Sequence, residues 1–454
     1  MSGPIEKKSR KFSGRALAFQ ALWRVEAQDA YADIVLDELF QKGRIEPREK
    51  ALATELTLGV LRSLSWLDFY LEQVADRPLS KVERKARLAL RLGAWQILKL
   101  TRIPNSAAVN ESVALAPPLA RGFVNAVLRG LIRKKEELAG PETIPDDDLR
   151  LAVTYSHPLW LVESWLEKFG PENTTALCKF NNERPGLTLR VNTLRSGREA
   201  LIRLFAREGI AATAGRWSPL AVLLDEPRPV TSLPGYEEGL FAVQDEASQL
   251  APLVLAPRPG ELILDACAAP GTKSLEIMQL MGGRGRVMAV DIHAGRLKRM
   301  ANEARRLGLS KVTRLTADAT QPLPLPKRFE NAQFDRILVD APCTGLGVIR
   351  RRPEIRWKRK PEDLKARTEL QRAILRNVSG LLKPGGALVY STCTFTVEEN
   401  EWAIAPLLYS GDFEQEDPAE FAPRAASLCE HKMLRTWPPL TGTDGFTIFR
   451  LRRK

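Results

Sequence analysis

Long apolar runs, paired cysteines and histidine clusters are what this sequence lacks. No uninterrupted apolar stretch approaches the roughly 20 residues that a membrane span needs. The basic start, Met1 to Lys11, has no apolar signal core behind it. Five cysteines, Cys178, Cys267, Cys343, Cys393 and Cys429, are odd in number and scattered. That pattern excludes a disulfide framework and a paired metal-ligand motif, and points to reduced thiols in the cytoplasm. Only three histidines occur, so no metal is expected. No G-x-G-x-x-G is present, which weighs against a dinucleotide. Acidic residues are also in deficit, 55 against 68 Lys and Arg, for a net charge of +13. Such a balance favours a polyanionic partner, nucleic acid before membrane.

What is present is enough chain, 454 residues, for several domains. Residues 1–11 read as a disordered basic tail. Residues 12–140 read as an all-α module, with apolar stripes such as Ala16, Phe19, Leu22 and Val25, or Leu56, Val60, Leu61, Leu64 and Leu67. Pro78 and Pro104 punctuate its helices. No acid, base or nucleophile constellation appears there, so a binding module and a purely supporting bundle both remain open. A Pro-containing acidic linker follows, and 150–238 read as a small βαβ-like α+β domain. Its strand Leu187–Asn192 offers Arg190 and Asn192 as candidate contacts to a phosphate backbone, with a solvated face as the alternative. From 239 to 454 the chain alternates strand and helix, the pattern of an α/β doubly wound parallel sheet. The expected strands include Leu262–Leu264, Arg286–Val290, Val312–Leu315, Ile337–Val339 and Ala387–Tyr390.

The chemistry gathers at strand ends, where open α/β sheets bind ligands. Cys267-Ala268-Ala269-Pro270-Gly271-Thr272-Lys273 joins a buried strand to a helix, a loop suited to laying a ligand on bared backbone. Asp265, Asp291, Asp318 and Asp340 each close or follow a strand. Asp291, about 20 positions past the loop, is placed for a ribose diol, and Asp318, one strand later, for an adenine amino group. A site without a Gly triplet suits S-adenosylmethionine, which carries no phosphate. Two further strand ends bear cysteine, in Asp340-Ala341-Pro342-Cys343-Thr344-Gly345 and in Ser391-Thr392-Cys393-Thr394. A basic run, Arg350 to Lys360, follows the first of these and contains Arg350, Arg351, Arg352, Arg356 and Trp357. Those cations are candidates for RNA phosphates and that indole for base stacking.

These motifs give residues 240–454 a clear resemblance to the S-adenosylmethionine-dependent RNA 5-methylcytosine methyltransferases of the nucleolar-protein/Sun family. Cys267–Lys273, Asp340–Gly345 and Ser391–Thr394 match its motifs in order and spacing, and Val243–Ser248 is similar to the segment before its cofactor loop. Thr272 departs from a loop that often has a second Gly. Residues 14–135 are similar to the NusB fold. The fusion resembles the Sun/RsmB type, which implies an enzyme with a Rossmann-like methyltransferase domain, S-adenosylmethionine as cofactor and 16S ribosomal RNA as partner, expected to be monomeric. It also implies roles. Cys393 is the nucleophile, Cys343 assists release, Asp340 meets N3 of the cytosine, and Lys273 is a positive neighbour of the thiolate. A tRNA cytosine methyltransferase and a catalytically inactive NusB-type RNA-binding factor are the competing readings.

Overall fold

The computed structural model describes residues 13–454 apart from 227 and 331, so the expected basic tail lies outside the described residues. The chain divides into two units. One holds the residues up to Glu183 together with Ile349–Arg359, the other Arg184–Val348 and Lys360–Lys454. The helix Leu159–Asn182 lies in the same compact unit as the helices before it.

The first unit is helical. Gly14–Ala27, Pro47–Arg62, Arg84–Lys99, Asn105–Leu115 and Arg121–Lys134 are among its helices. Ser13 caps the first by accepting from the Ala16 amide, and Pro104 stands at the start of the fourth, where a missing N–H costs nothing. Their apolar stripes meet in one core containing Leu22, Leu56, Val60, Leu67, Leu90 and Leu128. The face of the first helix is rotated from its expected position. Leu17, Ala18 and Ala21 are buried, whereas Ala16 and Phe19 lie half-buried at the margin. None of the described helices is long and apolar enough to cross a membrane.

The second unit carries two sheets. Strands β1 (Leu187–Val191), β2 (Ala212–Ala214), β3 (Ala221–Leu224) and β4 (Phe241–Val243) pair antiparallel in the order β2-β3-β1-β4. The expected βαβ-like unit is thus an antiparallel sheet with the helix Arg198–Arg207 packed through Leu201 and Phe205. The larger sheet contains β5 (Leu262–Asp265), β6 (Arg286–Asp291), β7 (Val312–Thr316), β8 (Phe334–Asp340), β9 (Leu382–Thr392), β10 (Phe413–Glu416), β11 (Cys429–Glu430), β12 (Met433–Thr436) and β13 (Phe446–Arg453). Its order is β11-β12-β13-β9-β8-β5-β6-β7, with β10 beside β13. From β9 to β7 all neighbours are parallel, and β13 adds to β9 antiparallel. The near-continuous apolar strands are explained by burial on both faces. The strand order reverses between β5 and β8, so the carboxyl ends of β5, β6, β8 and β9 face one crevice.

Candidate active site

The loop after β5 is shaped by one glycine. Gly271 has φ +110°, and a Cβ there would lie 2.3 Å from Met300 Cγ, so both backbone and packing demand the missing side chain. The helix Thr272–Leu280 starts directly after it, which leaves the first amide groups of that helix at the crevice. The loop is held from the side by Asp291. Its Oδ2 accepts from the Ala269 amide at 3.0 Å and its Oδ1 from the His293 amide at 2.8 Å. Asp318 is exposed, and its Oδ1 accepts from Thr320. Asp265 differs from both. It is fully buried, accepts from Ser274 Oγ at 2.6 Å, and burial pushes its carboxyl up to about 7. It staples the loop from beneath. Around Cys267 the four aspartates converge, since burial first and then Asp265, Asp340, Asp291 and Asp318 all push that thiol well up.

The ends of β8 and β9 meet. Asp340, last residue of β8, accepts from Lys273 Nζ at 2.6 Å and from Ser391 Oγ at 2.7 Å. Lys273 is buried, and burial opposes its charge. The charge and hydrogen bond of Asp340, followed by Cys393 and Asp265, outweigh that effect and raise its pKa. The Cys343 and Cys393 sulfurs are 3.1 Å apart. Contact with Cys393 and burial hold Cys343 well above its ordinary value. Either sulfur can donate across this contact. The two cysteines, Lys273 and Asp340 form one group, as the motifs predict.

The sequence reading missed what fixes the two cysteine loops. Glu399, fully buried, accepts at Oε1 from the Thr344 amide at 2.8 Å and from Gln371 Nε2 at 3.1 Å. Its Oε2 accepts from the hydroxyls of Thr344 and, at 3.0 Å, Thr396. One carboxylate thus ties the residue after Cys343 to the turn after Cys393. The adjacent Asn400 donates to Thr396 O at 2.7 Å, and the Gly347 amide donates to Cys393 O at 2.9 Å. The signal was the acidic run Glu398-Glu399-Asn400-Glu401 just beyond a cysteine turn. A carboxylate there has buried amides to satisfy.

The residues expected to contact RNA have partners within the chain. Arg190 is buried and donates to Gln244 and, at 2.9 Å, to Thr272 O, with Glu276 at 3.6 Å. It braces the helix that carries Lys273. Asn192 is likewise buried, donating to Gly239 O and Leu307 O. The basic run is part of the helical unit. Arg356 is fully buried and donates to Ser156 O at 2.9 Å, Asn182 Oδ1 at 2.8 Å and Asn181 O at 3.1 Å. Burial brings its pKa down to about 9. Trp357 Nε1 donates to Leu61 O at 2.8 Å, and Arg352 pairs with Asp33 at 2.7 Å. Arg350 is buried over the Phe180 ring at 4.0 Å, and Arg351 is half-buried beside it. A segment so engaged is a packing strap, because withdrawing its groups would orphan buried donors.

The donor set fits S-adenosylmethionine. Carboxylates dominate the crevice, the buried cations Lys273 and Arg190 are committed to Asp340 and to Gln244 and Thr272 O, and among the described residues no cradle of cations awaits phosphates. A ligand with a sulfonium, an ammonium and a ribose diol suits such a lining; a diphosphate does not.

Residues 252–452 match the family described as "16S rRNA methyltransferase RsmB/F", residues 13–133 the NusB family, and residues 157–231 the RsmF/B-like ferredoxin-like domain. The chain is 37% identical over 454 residues to the probable ribosomal RNA small subunit methyltransferase B of Bacillus subtilis, across 98% of this chain and 100% of that one. It is 35% identical over 446 residues to the protein of the same description from Synechocystis, covering 97% and 99%. A solved methyltransferase homologue from Pyrococcus horikoshii superposes with a TM-score of 0.58 at 28% identity, over 68% of this chain and all of the other.

Proposed function

The chain belongs to the ribosomal RNA small subunit methyltransferase B family, and from that premise we propose that it methylates C5 of a cytosine in 16S ribosomal RNA through a covalent adduct on Cys393. The observation that carries the adduct is the contact of the Cys343 and Cys393 sulfurs beside the Lys273–Asp340 pair. S-adenosylmethionine supplies the methyl group, and Gly271, Asp291 and Asp318 are the residues that would hold it.

Cytosine C5 is a weak nucleophile, so the ring is activated first. Cys393 Sγ adds to C6, and the ring electrons become available at C5. Lys273 places a positive charge near Cys393, and the Cys343 sulfur is in contact with it. Asp340, placed by Lys273 and Ser391, holds or protonates N3 as the sulfur adds and negative charge develops there. Once C5 is methylated its proton is lost, the C6–S bond breaks, and the electron pair returns to Cys393. Cys343 assists this release. The target base reaches the crevice only outside any stack.

Tritiated cofactor with unmodified small-subunit RNA and with tRNA tests the substrate. Label on tRNA alone, or none, overturns the reading. Cys393→Ser abolishes transfer, whereas Cys343→Ser accumulates a protein–RNA adduct on denaturing gels. The reverse pattern refutes the roles.

A further inference from the structure

Residues 284–314 carry nine Lys and Arg against two acidic residues, a net +7 within 31 positions of a chain whose total is +13. Neither acid is available to neutralise a neighbour across the surface. Asp291 accepts from the cofactor loop and the His293 amide, and Glu303 pairs with Arg306. Arg306 is itself engaged with Tyr236 O and Phe241 O. The other eight cations, Arg284, Arg286, Arg296, Lys298, Arg299, Arg305, Lys311 and Arg314, are all exposed. This contrasts with the basic strap, whose cations are held inside the helical unit.

Four of the eight converge on one cavity. A groove of about 1100 Å³ runs along β7, with Arg286 from β6, Lys298 from the helix Ala294–Leu307, Lys311 before β7 and Arg314 within it. Among the described residues, Lys298, Lys311 and Arg314 have no ion pair, and Arg286 has only the Phe329 ring, 5.9 Å away. The one carboxylate in the lining, Glu261, is bound to Arg336 at 2.7 Å. Charged residues on an edge strand ordinarily guard against strand pairing. Here only Arg314 belongs to the strand, and the other cations come from separate elements around a concavity. Self-repulsion on that scale, with Glu330 next to Phe329 as the exposed acid beside the lining, is relieved by a polyanion.

We infer that this groove binds the phosphodiester backbone of the substrate RNA at a distance from the target cytosine. The inference rests on the RNA reading above. Cys393 follows β9, and β7 is four strand spacings away in the order β9-β8-β5-β6-β7. Four spacings of about 4.8 Å give about 19 Å sideways. Arg314 and Arg286 also lie about four and seven residues nearer the amino ends of the parallel strands than Cys393, about 13–23 Å at about 3.3 Å per residue. The separation is thus roughly 25–30 Å, several nucleotides of extended chain. The groove therefore holds a flank of the substrate and not the reacting base.

The test is a quadruple variant, Arg286→Gln, Lys298→Gln, Lys311→Gln and Arg314→Gln. All four side chains are exposed, so the fold survives, and unaltered cofactor affinity verifies it. Binding to unmodified small-subunit RNA is measured against salt concentration, with KM and kcat for methyl transfer. Each lost phosphate contact lowers the log–log salt slope by about 0.7–0.9, so the slope falls by about 3. KM rises at least tenfold, and far more than kcat falls. A slope and KM equal to the wild type overturn the groove while leaving the RNA reading intact. Wild-type protein that neither binds nor methylates this RNA overturns both.

Discussion

Replacing Glu399 separates the support of the cysteine loops from their chemistry. Glu399→Ala removes one acceptor from four donors: the Thr344 amide, the Thr344 and Thr396 hydroxyls, and Gln371 Nε2. A hydrogen bond to a charged group contributes about 1.5–3 kcal/mol, but the losses do not add. Gln371 keeps Pro342 O at 3.1 Å and the Thr344 hydroxyl has Thr394 Oγ1 at 3.3 Å. The desolvation of a buried carboxylate, which raises the pKa of Glu399, is also relieved. What remains is the Thr344 amide deprived of its carboxylate acceptor and two loops without a common anchor, a cost of about 3–5 kcal/mol. For a unit of this size each kcal/mol lowers Tm by about 2–4 °C, so a fall of roughly 10 °C is expected. Displacing a sulfur by about 1 Å lowers the transfer rate on the order of 100-fold. Glu399→Gln keeps the shape and an oxygen for the amide, and the hydroxyls can turn to accept from its NH₂. It retains at least a tenth of the rate and most of the Tm. Thermal unfolding and single-turnover transfer read both effects. An alanine variant with wild-type Tm and rate refutes the clamp, and a glutamine variant as damaged as alanine shows that the charge, not the geometry, is needed.

Arg356→Ala destabilises the protein by about 3–5 kcal/mol in denaturant unfolding and leaves the salt slope of RNA binding unchanged, since its guanidinium is bonded to carbonyl oxygens; a reduced slope with intact stability returns it to the RNA. Arg190→Met lowers Tm and weakens cofactor binding together, because Glu276 and the start of the helix Thr272–Leu280 lose their brace; a selective loss of RNA affinity contradicts this. Asp265→Asn tests a pH dependence. The folded carboxyl sits at about 7 against about 3.9 unfolded. The raised value means that stability is full below the unfolded value and lost as pH rises through the folded one. The variant lacks that loss, so its Tm advantage over the wild type grows from pH 5 to pH 8; a constant gap refutes it.

Much of the second unit was legible because its signals are local. An apolar run of four residues between small-residue turns has few structural options, and β5, β6, β8 and β9 appear where the runs stand. The cysteine strand ends were legible for the same reason, since a sheet brings the ends of neighbouring strands together whatever the intervening chain does. The small sheet was less readable. Its strands β2 and β4 have three residues each and pair antiparallel through partners distant in sequence, which no short pattern specifies. The clamp on the cysteines also escaped, because the partners of Glu399 are an amide 55 positions earlier and a glutamine 28 positions earlier.

Charge was the least transferable signal, and the reason is physical. A Lys or Arg in sequence states that a cation exists, not whether water, a carbonyl or a polyanion surrounds it. The run from Arg350 to Arg359 looked like the phosphate track because it is dense and follows a catalytic motif. Yet Arg356 is fully buried among carbonyl oxygens, and Arg352 and Lys358 meet Asp33 and Asp29. Residues 284–314 contain the expected strands Arg286–Val290 and Val312–Leu315, with basic residues dispersed among them rather than run together. Folding reverses the ranking, for it engages the dense run and gathers the dispersed cations around one groove. Free positive charge on an RNA enzyme is therefore located by subtracting the cations that the fold has neutralised, and along β7 little is subtracted.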